Sequence, residues 1–351
     1  MKIGVALSGG KDSSLAAALL LGEGHQVTGF HLLLCPDEYA PIPPENQLAA
    51  VRRLCGMLGI GLRVIDARAD FRREIMEPFV AAYRAGKTPN PCVLCNRIFK
   101  FGRLFQAALE DGCDLLASGH YARVTGGERP QLKKPLDPRK DESYFLFDLP
   151  PGRLSRLFFP LGELALEEIR KISRELLPEF IPLPVTQEAC FLSRPGLRRF
   201  LEEYIPRPEE PGEIIDQAGK VLGGHPGCHY YTVGQRRGLS SASGRKGPLY
   251  VLRVIPDTNQ VVVGEKADLR SSRLRATGPN WLSIPPPAGP LTAVTKIRYT
   301  HPGAEALITP QPDNTLEIEF AVPQEAPAPG QAAVFYRDNT LLGGAWIEEV
   351  F

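Results

Sequence analysis

Methionine and tryptophan are scarce in this chain, three and two residues among 351, and no apolar run approaches the ~20 residues that a membrane-spanning helix needs. Glycines interrupt the opening "MKIGVALSGG" within ten residues, which excludes the apolar segment of a signal peptide. A soluble, cytoplasmic protein with no membrane partner is the expectation. An excess of either charge is also missing. Lys and Arg number 41 against 40 Asp and Glu, with 25 against 23 in residues 1–195 and 16 against 17 in the remainder. Any nucleic-acid surface therefore has to be local. Basic groups stand at Arg97/Lys100/Arg103, Lys133/Lys134/Arg139/Lys140, Arg198/Arg199, Arg236/Arg237 and Arg270/Arg273/Arg275; a solvated face is the ordinary explanation of each. Seven cysteines in an intracellular chain argue against a disulfide scaffold. Cys35, Cys55, Cys113 and Cys228 stand alone and read as packed thiols, whereas Cys92 and Cys95 form a C-x-x-C pair.

The length implies two or three domains. From residue 3 to about residue 121, apolar strand-like runs ("IGVAL", "HQVTGFHLLL", "LRVID", "CDLLASGHY") alternate with helical patterns ("ENQLAAVRRLCGMLG", "FRREIMEPFVAAYRAG", "NRIFKFGRLFQAALEDG"). That alternation predicts an α/β fold with a parallel sheet covered by helices on both faces. After residue 195 the character changes to prolines and short β-rich runs, including "HYYTVGQ", "PLYVLRVI" and "QVVVGE". The expected division is an α/β domain over 1–195, a small β-rich domain over 196–268, and a barrel- or sandwich-like domain over 269–351.

The string Ser8-Gly9-Gly10-Lys11-Asp12-Ser13 follows the first strand and opens the first helix. A glycine turn there lets backbone N–H groups approach phosphate, with the helix N-terminus adding positive potential. It is not the G-x-x-x-x-G-K-[ST] loop. Gly9 and Gly10 allow a tight turn; Ser8, Ser13 and Ser14 offer hydroxyls; Asp12 beside phosphate implies an intervening divalent cation. The ordinary alternative is a serine/glycine turn with a helix cap. The string resembles the pyrophosphate loop (PP-loop) of enzymes that split ATP between its α- and β-phosphates and transfer AMP to an oxygen. Such chemistry implies ATP and Mg2+ as cofactors.

A second set of strings narrows the substrate. "GKTPNPCVLCNRIFKF" (86–101), "ASGHYARV" (117–124), "KDESYFL" (140–146), "FPLGEL" (159–164), "CFL" (190–192), "PGEIID" (211–216), "GKVLGGHPGCHYYTVGQRRGL" (219–239) and "KIRYT" (296–300) resemble, in order and along the whole chain, the tRNA-specific 2-thiouridylase family. The resemblance implies an ATP-dependent tRNA uridine 2-sulfurtransferase. AMP is attached to the C2 oxygen of the wobble uridine and sulfur displaces it, giving 2-thiouridine, AMP and pyrophosphate. It implies that Cys190 carries a persulfide and that Cys95 attacks or resolves it. Both thiols are then expected to have lowered pKa values, with Arg97 and Lys100 as the sources of positive potential.

Carried over position by position, the resemblance implies that Ala6, Leu7, Ser8, Gly9, Gly10, Lys11, Asp12 and Ser13 hold the ATP phosphates. Leu32 would touch adenine through its backbone and Gly119 would lie near the adenosine, with His120 and Arg123 close by. Asn90, Pro91 and Cys92 would surround the target base. Lys140, Asp141, Glu142, Gln235, Arg236, Arg237, Arg298 and Tyr299 would contact tRNA. The partners implied are tRNA and a sulfur donor: a desulfurase, a relay protein or free sulfide. Cys92 stands where some family members have an aspartate, and Cys92, Cys95 and Cys190 can together ligate a [4Fe–4S] cluster with one iron left open. The alternative is a structural zinc site completed by His120 or His225.

Three departures from the family pattern stand out. Lys11 replaces a small apolar residue, Glu142 replaces a glutamine, and "PVTQEACFL" replaces the usual lead-in to the second cysteine. Glu188 in that lead-in is expected to raise the Cys190 pKa. Competing readings are a paralogous adenylating amidotransferase or ligase acting on another RNA or a small molecule, and an RNA-binding or zinc-stabilised protein without catalysis.

Overall fold

The computed structural model describes residues 1–177, 182–183, 189–205, 211–239 and 247–351. Glu188 and most of the lead-in to Cys190 lie outside these residues. The first unit is a five-stranded sheet in the order β3-β2-β1-β4-β7, all parallel, from β1 (Lys2–Ala6), β2 (Gln26–Leu33), β3 (Gly61–Asp66), β4 (Leu115–Ser118) and the two-residue β7 (Leu157–Phe158). Side-chain alternation along the strands divides the interior. Ile3, Val5, Val27 and Ala117 face helices α1 (Lys11–Gly22) and α2 (Pro44–Leu58), while Phe30, Leu32 and Leu116 face the helical runs 68–84 and 91–110. The expected α/β fold with both faces covered is present. Strand β7 is too short to have left a sequence pattern.

The sheet reverses its winding between β1 and β4, and in open α/β sheets ligands occupy the crevice at the carboxyl ends of such strands. Both the serine–glycine loop after β1 and the Gly119–Tyr121 turn after β4 lie at that point.

The middle unit is a four-stranded sheet ordered β10-β11-β8-β9, from β8 (Gly212–Ile215), β9 (Val221–His225), β10 (Tyr250–Ile255) and β11 (Gln260–Gly264). "HYYTVGQ" is not a strand. Gly234 has φ +86°, and the Gln235 side chain accepts from Thr232 N at 3.2 Å and donates to Arg237 O at 2.9 Å, so the chain turns there.

The last unit settles the choice between barrel and sandwich. Strands β12 (Arg270–Trp281), β13 (Leu291–Lys296), β14 (Ala304–Pro310), β15 (Thr315–Glu325), β16 (Ala332–Arg337) and β17 (Thr340–Val350) form the order β12-β15-β14-β13-β16-β17, closed by a β12–β17 pairing. Closure removes the free sheet edges. A hairpin from the first unit, β5 (Arg123–Thr125) and β6 (Gln131–Lys133), pairs onto β17. The first unit therefore gives two strands to the third one's sheet.

Several contacts fasten the barrel to the segment bearing the C-x-x-C pair. Thr88 N donates to Pro329 O at 2.7 Å, Gln331 Nε2 to Thr88 O at 3.1 Å, and the buried Tyr144 hydroxyl to Ala332 O at 3.1 Å. Residues 190–205 return to the same region. Phe191 is 1% exposed and lies 5.1 Å from Phe79, 5.0 Å from Phe200 and 5.9 Å from Phe71 between ring centroids. Aromatic pairs of this kind add to area burial. Phe191→Ala is expected to cost about 3–5 kcal/mol in denaturant unfolding, with Phe191→Leu recovering most of it. Freed from its anchor, Cys190 in the alanine variant should react faster with a maleimide.

Candidate active site

The loop after β1 is held in shape by its own serines. Ser8 N donates to Ser13 Oγ at 3.2 Å, Gly10 N to Ser8 Oγ at 3.2 Å, and Ser13 Oγ to Gly10 O at 3.1 Å. Gly9 has φ +82°, a conformation that favours glycine. Leu183 N donates to Gly9 O at 3.1 Å, placing that residue against the loop. Ser14 is fully buried, and its hydroxyl is spent on the loop itself, donating to Gly10 O at 2.9 Å. Buried His31 on β2 donates from Nδ1 to Leu7 O at 2.7 Å, tying the loop's entry to the neighbouring strand. Leu32, buried beside it, has its backbone at the β2 end of the same crevice.

Gly119 packs directly on this loop. A Cβ at that position would lie 2.6 Å from both Asp12 C and Ser13 N, so only glycine permits the approach. Tyr121, two residues on, donates from its hydroxyl to Asp12 Oδ1 at 2.8 Å, and Lys140 lies over its ring at 4.9 Å. The spacing of the motifs gave no sign of the Tyr121–Asp12 bond.

Between these residues sits His120, whose two ring nitrogens are both engaged. Nε2 lies 3.3 Å from Lys100 Nζ and Nδ1 lies 2.8 Å from Ser118 Oγ. An ammonium only donates, so Nε2 accepts and Nδ1 carries the proton. Burial chiefly, then Lys100, holds the His120 pKa well below its usual value. Lys100 is on a π-helical stretch, Asn96–Arg103, that continues the helix Pro91–Cys95. Such widened turns occur often at functional sites.

Lys100 also reaches the cysteines. Cys92 and Cys95 are three residues apart on the Pro91–Cys95 helix; Cys190 opens the turn Cys190–Leu192, and its charge acts on both. The two distant thiol-bearing segments therefore share one core cluster, Cys95 within it and Cys190 at its margin. Their protonation corrects the sequence expectation. Burial pushes Cys95 up to about 12 and also raises Cys92, while Lys100 pulls both down by less. Cys190 is raised well above its usual value, first by a hydrogen bond with Cys35 and then by burial, again against Lys100. Desolvation of a thiolate outweighs one ammonium. Arg97 contributes nothing to this balance, because it donates to buried Asp148 at 3.0 Å. Cys35, an isolated packed thiol by sequence, belongs to the group.

The tRNA candidates divide. Exposed Arg236 and Arg237 flank the turn held by Gln235. Tyr299 stacks at 4.6 Å from Phe145, and Arg298 donates to Glu325 O at 2.8 Å. Asn90 stands at the N-terminal end of the cysteine helix, which Pro91 begins. Asp141 caps the next turn, accepting from Ser143 N at 3.0 Å. Glu142 turns inward and accepts from Tyr121 N at 3.0 Å, so its charge faces Asp12 and Lys100, away from solvent. Arg123 is held by Lys134 O at 2.8 Å and Glu163 at 3.6 Å. Several basic groups are ion-paired: Arg103 with Asp70 and Glu74, Arg139 with Asp137, Arg198 with Glu202, and Arg275 with Asp313.

Family models match the chain as a tRNA methyl transferase HUP domain over residues 1–194, a tRNA methyl transferase PRC-barrel domain over 198–265 and an aminomethyltransferase β-barrel domain over 271–347. A tRNA-specific 2-thiouridylase MnmA from Syntrophotalea carbinolica is 42% identical over 347 residues, covering 98% of this chain and 97% of that one. One from Magnetococcus marinus is 40% identical over 354 residues, covering 99% and 98%. The chain belongs to the tRNA-specific 2-thiouridylase family. Among solved structures, the U34-tRNA thiolase NcsA from Methanococcus maripaludis with its [4Fe-4S] cluster is similar at 21% identity and a TM-score of 0.34, covering 59% of this chain and 67% of that one.

Among the described residues no three His, Cys, Asp or Glu side chains converge closely enough to hold an ion. His225 is in the middle unit, where its Nδ1 accepts from Gly227 N at 3.1 Å, and His120 is committed to Ser118 and Lys100. As they stand, Cys92, Cys95 and Cys190 are not gathered round a single ion such as zinc.

Lys100→Met removes the cation that, among the described residues, opposes desolvation at all three thiols. Alkylation of Cys92 by iodoacetamide at fixed pH should then slow, because a smaller fraction of the thiol is ionised. Arg97→Met should leave the rate unchanged, and an unchanged rate in the Lys100 variant would contradict the assignment.

Proposed function

We propose that this enzyme is an ATP-dependent tRNA uridine 2-sulfurtransferase of the cytoplasm. The observation that carries it is a run of interactions from the loop after β1 toward the thiols: Asp12 bonds to Tyr121, the adjoining His120 bonds to Lys100, and the Lys100 charge acts on Cys92, Cys95 and Cys190. An amidotransferase has no use for the thiol end of that run, and an RNA-binding protein without catalysis has no use for the loop.

ATP enters with Mg2+ as part of the substrate, its phosphates on residues Ala6–Ser13 at the start of α1 and its adenosine against Gly119 and the Leu32 backbone. The uridine C2 oxygen attacks the α-phosphorus, the bond to the β-phosphate oxygen breaks, and pyrophosphate leaves. This turns an unreactive carbonyl oxygen into AMP, a leaving group. Sulfur carried as a persulfide on Cys190 then reaches C2 and AMP departs. If the terminal sulfur leaves for C2 as Cys95 attacks the inner sulfur, Cys95 and Cys190 end as a disulfide. The Lys100 ammonium sits where it stabilises the thiolates and the anionic leaving group. A desulfurase, relay protein or free sulfide supplies the sulfur. Asn90, Pro91 and Cys92 surround the base, and Lys140, Arg236, Arg237, Arg298 and Tyr299 take the rest of the tRNA.

With ATP, tRNA and a sulfane-sulfur source, the products should be 2-thiouridine, AMP and pyrophosphate in equal amounts. Cys95→Ala and Cys190→Ala should each lower thiolation by at least about 1,000-fold while tRNA affinity stays within about twofold. Formation of ADP would contradict the scheme, and stoichiometric iron with acid-labile sulfide in anaerobically prepared protein would replace the persulfide by a cluster.

A further inference from the structure

Tyr121 is 1% exposed, and its polar atoms are tied to two segments far apart in sequence. Its hydroxyl donates to Asp12 Oδ1 at 2.8 Å, in the first turn of α1. Its backbone exchanges two bonds with Glu142: Tyr121 N donates to Glu142 Oε2 at 3.0 Å, and Glu142 N donates to Tyr121 O at 3.1 Å. Lys140, two residues before Glu142, lies with Nζ 4.9 Å from the centre of the Tyr121 ring. Residues 119–121 and 140–142 are thereby fastened together, and Gly119 presses the same turn onto the backbone of Asp12 and Ser13.

A phenol so buried does not reach a substrate; what it sets is the carboxylate it holds. The last torsion of an aspartate is otherwise broad. A bond on Oδ1 fixes the plane of the Asp12 carboxylate and leaves Oδ2 for the Mg2+ that accompanies ATP. At the other end of the same set of bonds is Glu142, in the stretch assigned above to tRNA. Displacement of residues 140–142 by bound RNA moves the Tyr121 backbone and, through the ring and hydroxyl, Asp12.

We infer that Tyr121 is a positioning residue that couples the two substrates: RNA seated on residues 140–142 sets, through the Tyr121 hydroxyl, the Asp12 carboxylate that meets Mg2+-ATP. Each substrate then raises the affinity for the other by the same factor, as linkage requires. Enzyme without tRNA holds ATP less tightly, which limits idle cleavage of the nucleotide. The inference rests on the assignment of ATP and tRNA given under the proposed function.

The test measures the affinity of the full chain for α,β-methylene-ATP with Mg2+, in the presence and absence of an unmodified tRNA transcript. The ratio of the two dissociation constants is the coupling factor. In the parent, tRNA should tighten the analogue about fivefold or more. Tyr121→Phe, which keeps the ring and both backbone bonds, should bring the factor close to one. Glu142→Leu, which removes the acceptor of Tyr121 N, should lower it as well, whereas Glu142→Gln still offers an oxygen and should keep it. A change that only loosens the loop weakens both constants alike and leaves their ratio unchanged, so a merely structural role for Tyr121 does not move this readout. A factor in Tyr121→Phe equal to that of the parent, or a factor of one in a parent that binds both ligands, overturns the inference and leaves the proposed function standing. A parent that binds no tRNA, or no analogue, overturns the assignment of the two sites and this coupling with it.

Discussion

One ammonium group working against desolvation governs this site. Desolvation favours the neutral thiol at Cys92, Cys95 and Cys190, of which only Cys95 is buried, and the Lys100 ammonium opposes it at all three. The thiols are consequently less acidic than an ordinary cysteine. Chemistry that depends on a thiolate has to wait for a partner that alters this balance, such as an arriving persulfide or the charge of bound nucleotide. Such a site limits loss of sulfur to water and to stray electrophiles. The same ammonium donates to His120, which adjoins the turn packed on the nucleotide loop, so a change at either end is felt at the other.

The rest of the architecture serves this arrangement. Gly119 exists as glycine because the turn after β4 presses on the N-terminus of α1. The barrel grips Thr88 and Tyr144 on either side of the cysteine helix, and the aromatic cluster around Phe191 returns Cys190 from a segment nearly 100 positions away in sequence. No one unit makes the site. A parallel sheet supplies the nucleotide crevice, its helices supply two thiols and the cation, and the barrel fixes the loop before them.

Much of this was legible in the sequence, because the legible parts are local. A strand, a serine–glycine turn and a helix follow one another without interruption at residues 2–22, and the two cysteines of "PCVLC" share a helical turn by spacing alone. What sequence reading missed is long-range. Strands β5 and β6 sit within the first unit's sequence but complete another unit's sheet, which no periodicity reveals. Glu142 reads as a surface charge beside a basic residue, yet the turn from Asp141 folds it inward to Tyr121 N. Arg97 and Lys100 look interchangeable as cations near the thiols until the widened helix sends one to Asp148 and the other to His120.

The central claim is that nucleotide and thiols share one chamber bridged by Lys100. A crystal structure with tRNA and an ATP analogue that cannot be cleaved between its α- and β-phosphates tests it most directly. The account predicts the analogue's phosphates on residues Ser8–Ser13, adenosine against Gly119, and the C2 oxygen of the target uridine facing the α-phosphorus, with Cys95 and Cys190 on the same side as that oxygen. A target base seated away from the thiols, or phosphates bound outside the β1–β4 crevice, would contradict it.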